Sequence, residues 1–300
     1  MNTLIEITAL NQDLLTYLAI DLLIAIILLG TMRFVSGLSA KVNTTHELAK
    51  EDNFAFGISV AGSVAALGIV LTGAITGETA NSYLVEAIGM LAYGAFGLVL
   101  IKIGRLLHDK LALNQLDKNA LIKQKNLSIG VVDAAGAIAT AIIIRAVLLW
   151  VDGLDASTFI AIASGFVVSQ AILVIVTRLK ERQYAKNNQD DSLQEALSQG
   201  QLAIAIRYAG QMISTALAVT AASYFFSYSP QTLVVNLLGW LVFGLVMTVL
   251  VAILTSVAKS IILWGINLVE EVDQQHNIGV ASIEMAISIS IALIMTALMA

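Results

Sequence analysis

Three ionisable side chains stand deep inside apolar stretches: Asp133 in "NLSIGVVDAAGAIATAIIIRAVLLWV", Arg207 in "QLAIAIRYAGQMIS" and Glu284 in "NIGVASIEMAIS". Two carboxylates and one guanidinium in such a setting can neutralise one another, hold a cation, or relay a proton between Asp133 and Glu284. Arg145 shares a stretch with Asp133 but lies twelve residues further on, about 18 Å along a helix, so each needs a partner from elsewhere in the chain. The pairs expected are Asp133 with Arg207, and Arg145 with Asp21 or Glu86. One Arg207 does not compensate two carboxylates, which leaves Glu284 to be protonated, hydrated or bound to a cation.

The elements that position these groups are membrane spans. The 300 residues are 58% hydrophobic and 12% charged, against about 25% charged in soluble domains. Windows of roughly 20 apolar residues, enough to cross about 30 Å of hydrocarbon, recur at 14–36, 53–76, 82–107, 126–151, 157–179, 201–226, 232–260 and 277–299. The expectation is an all-α polytopic membrane bundle of eight transmembrane helices. The start "MNTLIEITALNQDLL" has no basic segment ahead of the first span, which reads as a retained helix rather than a cleaved signal. The absence of cysteine excludes disulfides, thiolate metal sites and cysteine nucleophiles together.

The bases are segregated. Of 16 Lys and Arg, 14 lie in or beside the loops after the first, third, fifth and seventh spans, and the other two are Arg145 and Arg207. The positive-inside rule makes those loops cytoplasmic and turns both termini and the short links "TGETANS", "DGLDAS" and "SYSPQT" outward. Pro230, the only proline, sits in one of these outer links, as suits a helix breaker.

The even-numbered spans start alike: "NFAFGISVAG" from Asn53, "NLSIGVVDAAG" from Asn126, "QLAIAIRYAG" from Gln201 and "NIGVASIEMA" from Asn277, at intervals of 73, 75 and 76 residues. A glutamate precedes the anchor by six residues in three copies, as Glu47, Glu195 and Glu271; the second copy has Ala120 there. "EAIGMLAYG" from Glu86 and "NLLGWLVFG" from Asn236 match at an offset of 150 residues. The chain therefore reads as four two-helix units in two pseudo-symmetric halves, 1–150 and 151–300. Units with an even number of spans enter the membrane in one orientation, so the repeats are parallel.

Counted from the anchors, Asp133 and Glu284 stand at +7, and Arg207 and Ser59 at +6. All four fall in one layer, about 10 Å inside the membrane boundary. Asp21, Glu86, Arg145 and Asn236 lie within four to eight residues of the opposite ends and form a second, shallower layer. Small and polar stripes such as Gly130, Asp133, Gly136 and Thr140 accompany the inner layer, whereas a lipid-facing stripe would be Leu, Ile and Val. The even spans are therefore expected to surround a centre, with the longer, more aliphatic odd spans at the periphery.

Glu47, Asn53, Ala55 and Gly57, a Glu, then an Asn, then small residues at alternate positions of a two-helix unit, resemble the pattern of a bacterial membrane family catalogued as domain of unknown function number 350. The resemblance covers nearly the whole chain, best in the first and fourth units, and the pattern is broken at Ala120 and Gln201. It implies a multi-pass protein of the bacterial inner (cytoplasmic) membrane with a link to envelope stress or polyamine metabolism. It also implies a phage-shock-like membrane-remodelling protein as a cytoplasmic partner.

Each conspicuous residue has a structural reading beside the functional one. The anchor asparagines suit helix N-caps. The glutamates six residues earlier have no equally local role and are expected to pair with loop lysines or to dock a partner. Glu270, Glu271, Asp273 and His276, and His46 beside Glu47, lack the two-histidine spacing of a zinc motif and read as solvated loop. There is no phosphate cradle and no nucleophile elbow, so no enzyme activity, metal or cofactor is expected. The mixed charge of the loops argues against nucleic acid. Two functions remain. One is a channel or transporter for cations or small cationic solutes, polyamines included, running through the inner layer. The other is a non-transporting scaffold or stress sensor whose buried charges only hold helix register. A homo-oligomer is compatible with either.

Overall fold

The computed structural model of the chain describes residues 12–75 and 82–300. The first eleven residues and all of the "TGETANS" link except Ser82 lie outside the described residues. Every regular element among the described residues is helical. In chain order these are α1 (Gln12–Ala40), α2 (Thr44–Ala49), α3 (Phe54–Ile75), α4 (Tyr83–Leu107), α5 (Lys118–Lys123), α6 (Leu127–Trp150), α7 (Ala156–Asn187), α8 (Leu193–Ser198), α9 (Leu202–Ser223), α10 (Leu233–Ile262) and α11 (Ile278–Met299). Wider π-helical turns cover His108–Ala112, continuing α4, and Val269–Gln274. Eight of the helices are long and apolar enough to cross a membrane. Leu238, Val242, Val249, Ile253 and Val257 give α10 an exposed aliphatic stripe suited to lipid.

A short helical elbow (α2, α5, α8 or the turn Val269–Gln274) leads into each even span and ends in a left-handed residue directly before the anchor. These residues are Asp52, Lys125, Gly200 and His276, with φ of 48°, 63°, 84° and 55°. Only the third copy uses the glycine that this conformation favours. The anchor then caps the following helix: Asn53, Asn126 and Asn277 accept from the backbone N–H of Phe56, Ile129 and Val280 at 3.0, 3.2 and 3.1 Å. Gln201, one methylene longer, makes no such cap.

The even spans do not surround a centre. They stand in single file, α3 against α6, α6 against α9 and α9 against α11, and the odd spans α1, α4, α7 and α10 form a second file along one side. The reason lies in where the small residues fall. The edge used toward the following helix lies at +2, +6, +9 and +13 from the anchor, and the edge used toward the preceding one at +4, +8 and +15. At about 100° per residue these edges are about 150° apart, whereas a closed ring of four needs about 90°. Contact along the file is close enough to exclude side chains. A Cβ on Gly62 would lie 2.4 Å from the Ala134 Cα, one on Gly130 2.5 Å from the Ala55 carbonyl oxygen, and one on Gly210 2.7 Å from the Met285 Cα. This is the small-residue packing that replaces a hydrophobic driving force in lipid. The middle helices of the file are the core: α6 and α9 are buried over 78% and 72% of their most apolar stretch, against 22% for α1 and α10.

Candidate functional site

The inner-layer residues resolve into two charge clusters, one in each half, rather than one. In the first half, Asp133 on α6 is 2% exposed. It accepts from the Ser59 hydroxyl of α3 and from Arg105 of α4, whose Nε lies 3.2 Å away. The Lys118 ammonium, at the start of α5, is 3.6 Å from it and also pairs with Asp109. Arg105 further donates to Ser63 at 2.9 Å. The expected Asp133–Arg207 pair is therefore not formed. Asp133 finds two bases within its own half, because the end of α4 and the returning loop fold against α6. Beside this cluster His108 shares a hydrogen bond of 2.7 Å with the Tyr208 hydroxyl of α9, which ties the two halves together.

In the second half, Arg207 Nε donates to Glu284 at 2.6 Å, another of its nitrogens pairs with Asp273, and a third donates to the Leu268 carbonyl at 2.7 Å. Lys259 on α10 stands 3.0 Å from the other Glu284 oxygen. Asn188 donates to Asp273 at 3.2 Å. Burial holds the Asp273 carboxyl above the ordinary carboxylate range, although Arg207 pulls the other way. Glu284 is thus not a spare carboxylate: Arg207 and Lys259 both meet it.

The repeat explains which parts of the clusters match. Asp133 and Glu284 are equivalent carboxylates at +7, and Ser59 and Arg207 are equivalent donors at +6, each reaching the +7 acid of the next helix in the file. The second bases are not equivalent, since the position of Lys259, 18 residues before its anchor, is held in the first half by His108. Arg105, Lys118, Lys259 and Asp273 were not among the expected site residues.

The clusters differ most in the space around them. A cavity of about 380 Å³ lies between α7, α9, α10 and α11, and Lys180, Arg207, Lys259, Asp273 and Glu284 are all in its wall. It runs from Tyr184 and Asn187 at the basic-loop end to Ala218 and Thr248 deep in the spans. Of its three bases, Arg207 and Lys259 meet carboxylates, whereas among the described residues Lys180 donates to the Gln183 side chain alone, at 3.1 Å. The hydroxyl of Thr255, 8% exposed, lies in the wall without a hydrogen-bond partner. About two turns before Thr248 on α10, the buried Trp240 indole donates to the Val219 carbonyl at 3.0 Å and packs edge-on against Trp150.

The outer layer is dispersed. Arg145 donates to the Thr72 hydroxyl of α3 at 2.9 Å and pairs with neither Asp21 nor Glu86. Those two carboxylates instead approach each other, α1 to α4. The file places Arg145 at the α3 edge of α6, away from α1. Asn236 donates to the Ser227 carbonyl at 2.8 Å and braces the turn before α10.

The recurrent glutamates do have a local role. Glu47 and Glu271 accept from the Asn53 and Asn277 amides at 3.0 and 2.8 Å, locking elbow to anchor. Asn53 also donates to the Ile122 carbonyl of the next elbow at 2.9 Å, and Asn126, which lacks a glutamate, donates to Leu197 and Ser198 of the elbow after that at 3.2 and 2.7 Å. Glu195, whose anchor is Gln201, meets only Gln199, and the Gln201 side-chain oxygen is buried without a partner.

Parallel two-helix units with elbow-locked anchors and a buried acid at a fixed register define a multi-pass α-helical membrane protein built by tandem repetition. The family model described as Domain of Unknown Function (DUF350) matches residues 9–148 and again 153–299, one match on each half, and the chain belongs to that family. No curated protein and no solved structure matches the chain.

Proposed function

We propose that this membrane protein carries a small anionic solute, which enters the cavity of the second half from the basic-loop side. The observation that supports this most is the charge balance of the cavity wall. Three bases face two acids, both acids are already paired, and among the described residues Lys180 forms no ion pair within 4 Å, its hydrogen bond going to the neutral Gln183. A solute carboxylate or phosphate supplies the missing counter-charge. The cation reading rested on in-span acids outnumbering bases four to two, whereas in the wall of this cavity three bases stand against two acids, and Glu284 meets Lys259 as well as Arg207.

The volume, about 380 Å³, falls at the small end of the range for small-molecule sites, roughly 300–1,000 Å³. The K/R bias of the loops puts the mouth of the cavity on the cytoplasmic side. The cavity reaches no further along the spans than Ala218 and Thr248, so on this reading passage requires a rearrangement of the helices, as in a carrier. In the first half the matching level is occupied by the Arg105 guanidinium across Ser59, Ser63 and Asp133, a structural counterpart of the site. Binding of small carboxylates and phosphate to the purified protein, compared with Lys180→Met, tests the reading. Loss of one charge-assisted contact, about 1.5–3 kcal/mol, weakens binding by about tenfold or more. Equal binding by both proteins overturns it.

A further inference from the structure

The file of even helices stops at α3 on one side and at α11 on the other, and each end leaves bare the edge that its repeat equivalents bury. On α3, α6 and α9 the forward edge at +2, +9 and +13 is buried: Ala55, Gly62 and Ala66, then Ser128, Ala135 and Ala139, then Ala203, Gly210 and Ser214. On α11 the same register, Gly279, Ala286 and Ser290, is exposed. The backward edge at +4 and +15 is buried as Gly130 and Ala141, Ala205 and Ala216, and Ala281 and Ala292. On α3 it is half-buried Gly57 and Gly68, with exposed Ala61 between them at +8. A Cβ on Gly68 would meet nothing within 4 Å, so nothing among the described residues requires this mid-helix glycine, which costs about 1 kcal/mol relative to alanine.

The elbows carry the same signature independently. The Asn53 and Asn126 amides each reach a carbonyl four residues before the next anchor, Ile122 and Leu197. Among the described residues the Asn277 amide reaches Glu271 and no elbow carbonyl. The carbonyl in the corresponding position is that of Ala49, at the end of α2.

We propose that the α11 edge of one copy of this chain docks on the α3 edge of a second copy, extending the file head to tail in the geometry of the α6–α9 join between the halves. The register matches that join in character. At +6 the first and third joins carry polar groups, Ser59 and Arg207, while the α6–α9 join carries Val132 and the free α11 edge carries Ile283. Ala286 then meets Ala61, as Gly62 meets Ala134 and Gly210 meets Met285 within the chain. The Asn277 amide gains the Ala49 carbonyl of the next copy. Such a contact is heterologous, so it leaves one free edge at each end until the oligomer closes into a ring.

The chain has no cysteine, which gives disulfide trapping a clean background. Ala61→Cys and Ala286→Cys, each expressed alone in membranes and oxidised, are expected to stay uncrosslinked. Expressed together they give a dimer, and Ala61→Cys/Ala286→Cys in one chain gives a ladder of multimers, because the Cβ atoms approach to the ~4 Å that a disulfide needs. Gly68→Leu added to the double variant is expected to abolish the ladder without lowering helicity or the monomer's melting temperature. Crosslinking of Ala61→Cys to itself, no product from the co-expressed pair, or a ladder that survives Gly68→Leu overturns the proposal.

Discussion

Glu284→Gln is the sharpest test of the second charge cluster. The carboxylate is 3% exposed, with Arg207 Nε at 2.6 Å on one oxygen and Lys259 Nζ at 3.0 Å on the other. Glutamine keeps the shape and one acceptor but removes the charge, leaving Asp273 alone to compensate two bases. Removing one partner of a buried ion pair costs about 3–5 kcal/mol, and the retained acceptor puts the expected loss near the lower end, about 3 kcal/mol. At roughly 2–4 °C per kcal/mol for a unit the size of one half, the melting temperature falls by about 6–12 °C. Thermal unfolding in detergent, followed by circular dichroism, reads this directly. Lys259→Met in the same background removes the base that lost its partner, so the double variant is expected to melt higher than additivity allows, by at least about 1 kcal/mol of coupling. A Glu284→Gln protein that melts within a degree of wild type, with additive behaviour in the double variant, refutes the ion-pair geometry.

Gln201→Asn is expected to stabilise the protein by about 1 kcal/mol, since asparagine restores the N-cap present in the other three units and removes a buried oxygen that has no partner; a lower melting temperature contradicts the elbow account. Gly62→Ala and Gly136→Ala are expected to diverge. The first drives a methyl to 2.4 Å from the Ala134 Cα and costs on the order of 1–3 kcal/mol, while the second meets only His108 at 4.0 Å and gains up to about 1 kcal/mol in helix propensity. The same unfolding assay on both variants decides this.

Most of the fold was legible in the sequence because hydropathy and a 73–76-residue period are properties of the chain alone. Eight spans, four parallel units and the match of Asp133 with Glu284 all follow from them. The fifth span ends at 179 by hydropathy, and the charged run from Arg178, "RLKERQYAKN", reads as a charged helix; α7 does continue through it to Asn187, with bases in its last turns. The file arrangement was implicit in the angles between the +9 and +8 edges, yet small polar stripes alone do not distinguish an edge from a lumen.

The pairing of charges was not legible. Arg105, Lys118 and Lys259 sit at the ends of spans or in loops, where positive-inside bias accounts for a base without giving it a partner. Arg105 and Lys259 reach the inner layer from the span helices α4 and α10, and only Lys118 is brought there by an elbow. Arg145 shows the converse: with the helices in file, among the described residues it donates to the Thr72 hydroxyl on the adjoining helix rather than to Asp21 or Glu86.

The central claim is that the second-half cavity selects an anion through Lys180. The direct measurement is uptake into proteoliposomes of a panel containing a small carboxylate, phosphate, potassium and a polyamine, with wild type and Lys180→Met side by side. The account predicts uptake of at least one anion, reduced about tenfold or more in the variant at unchanged melting temperature, and no uptake of potassium or polyamine. Polyamine uptake that survives Lys180→Met, or no uptake of any solute by folded wild-type protein, contradicts it.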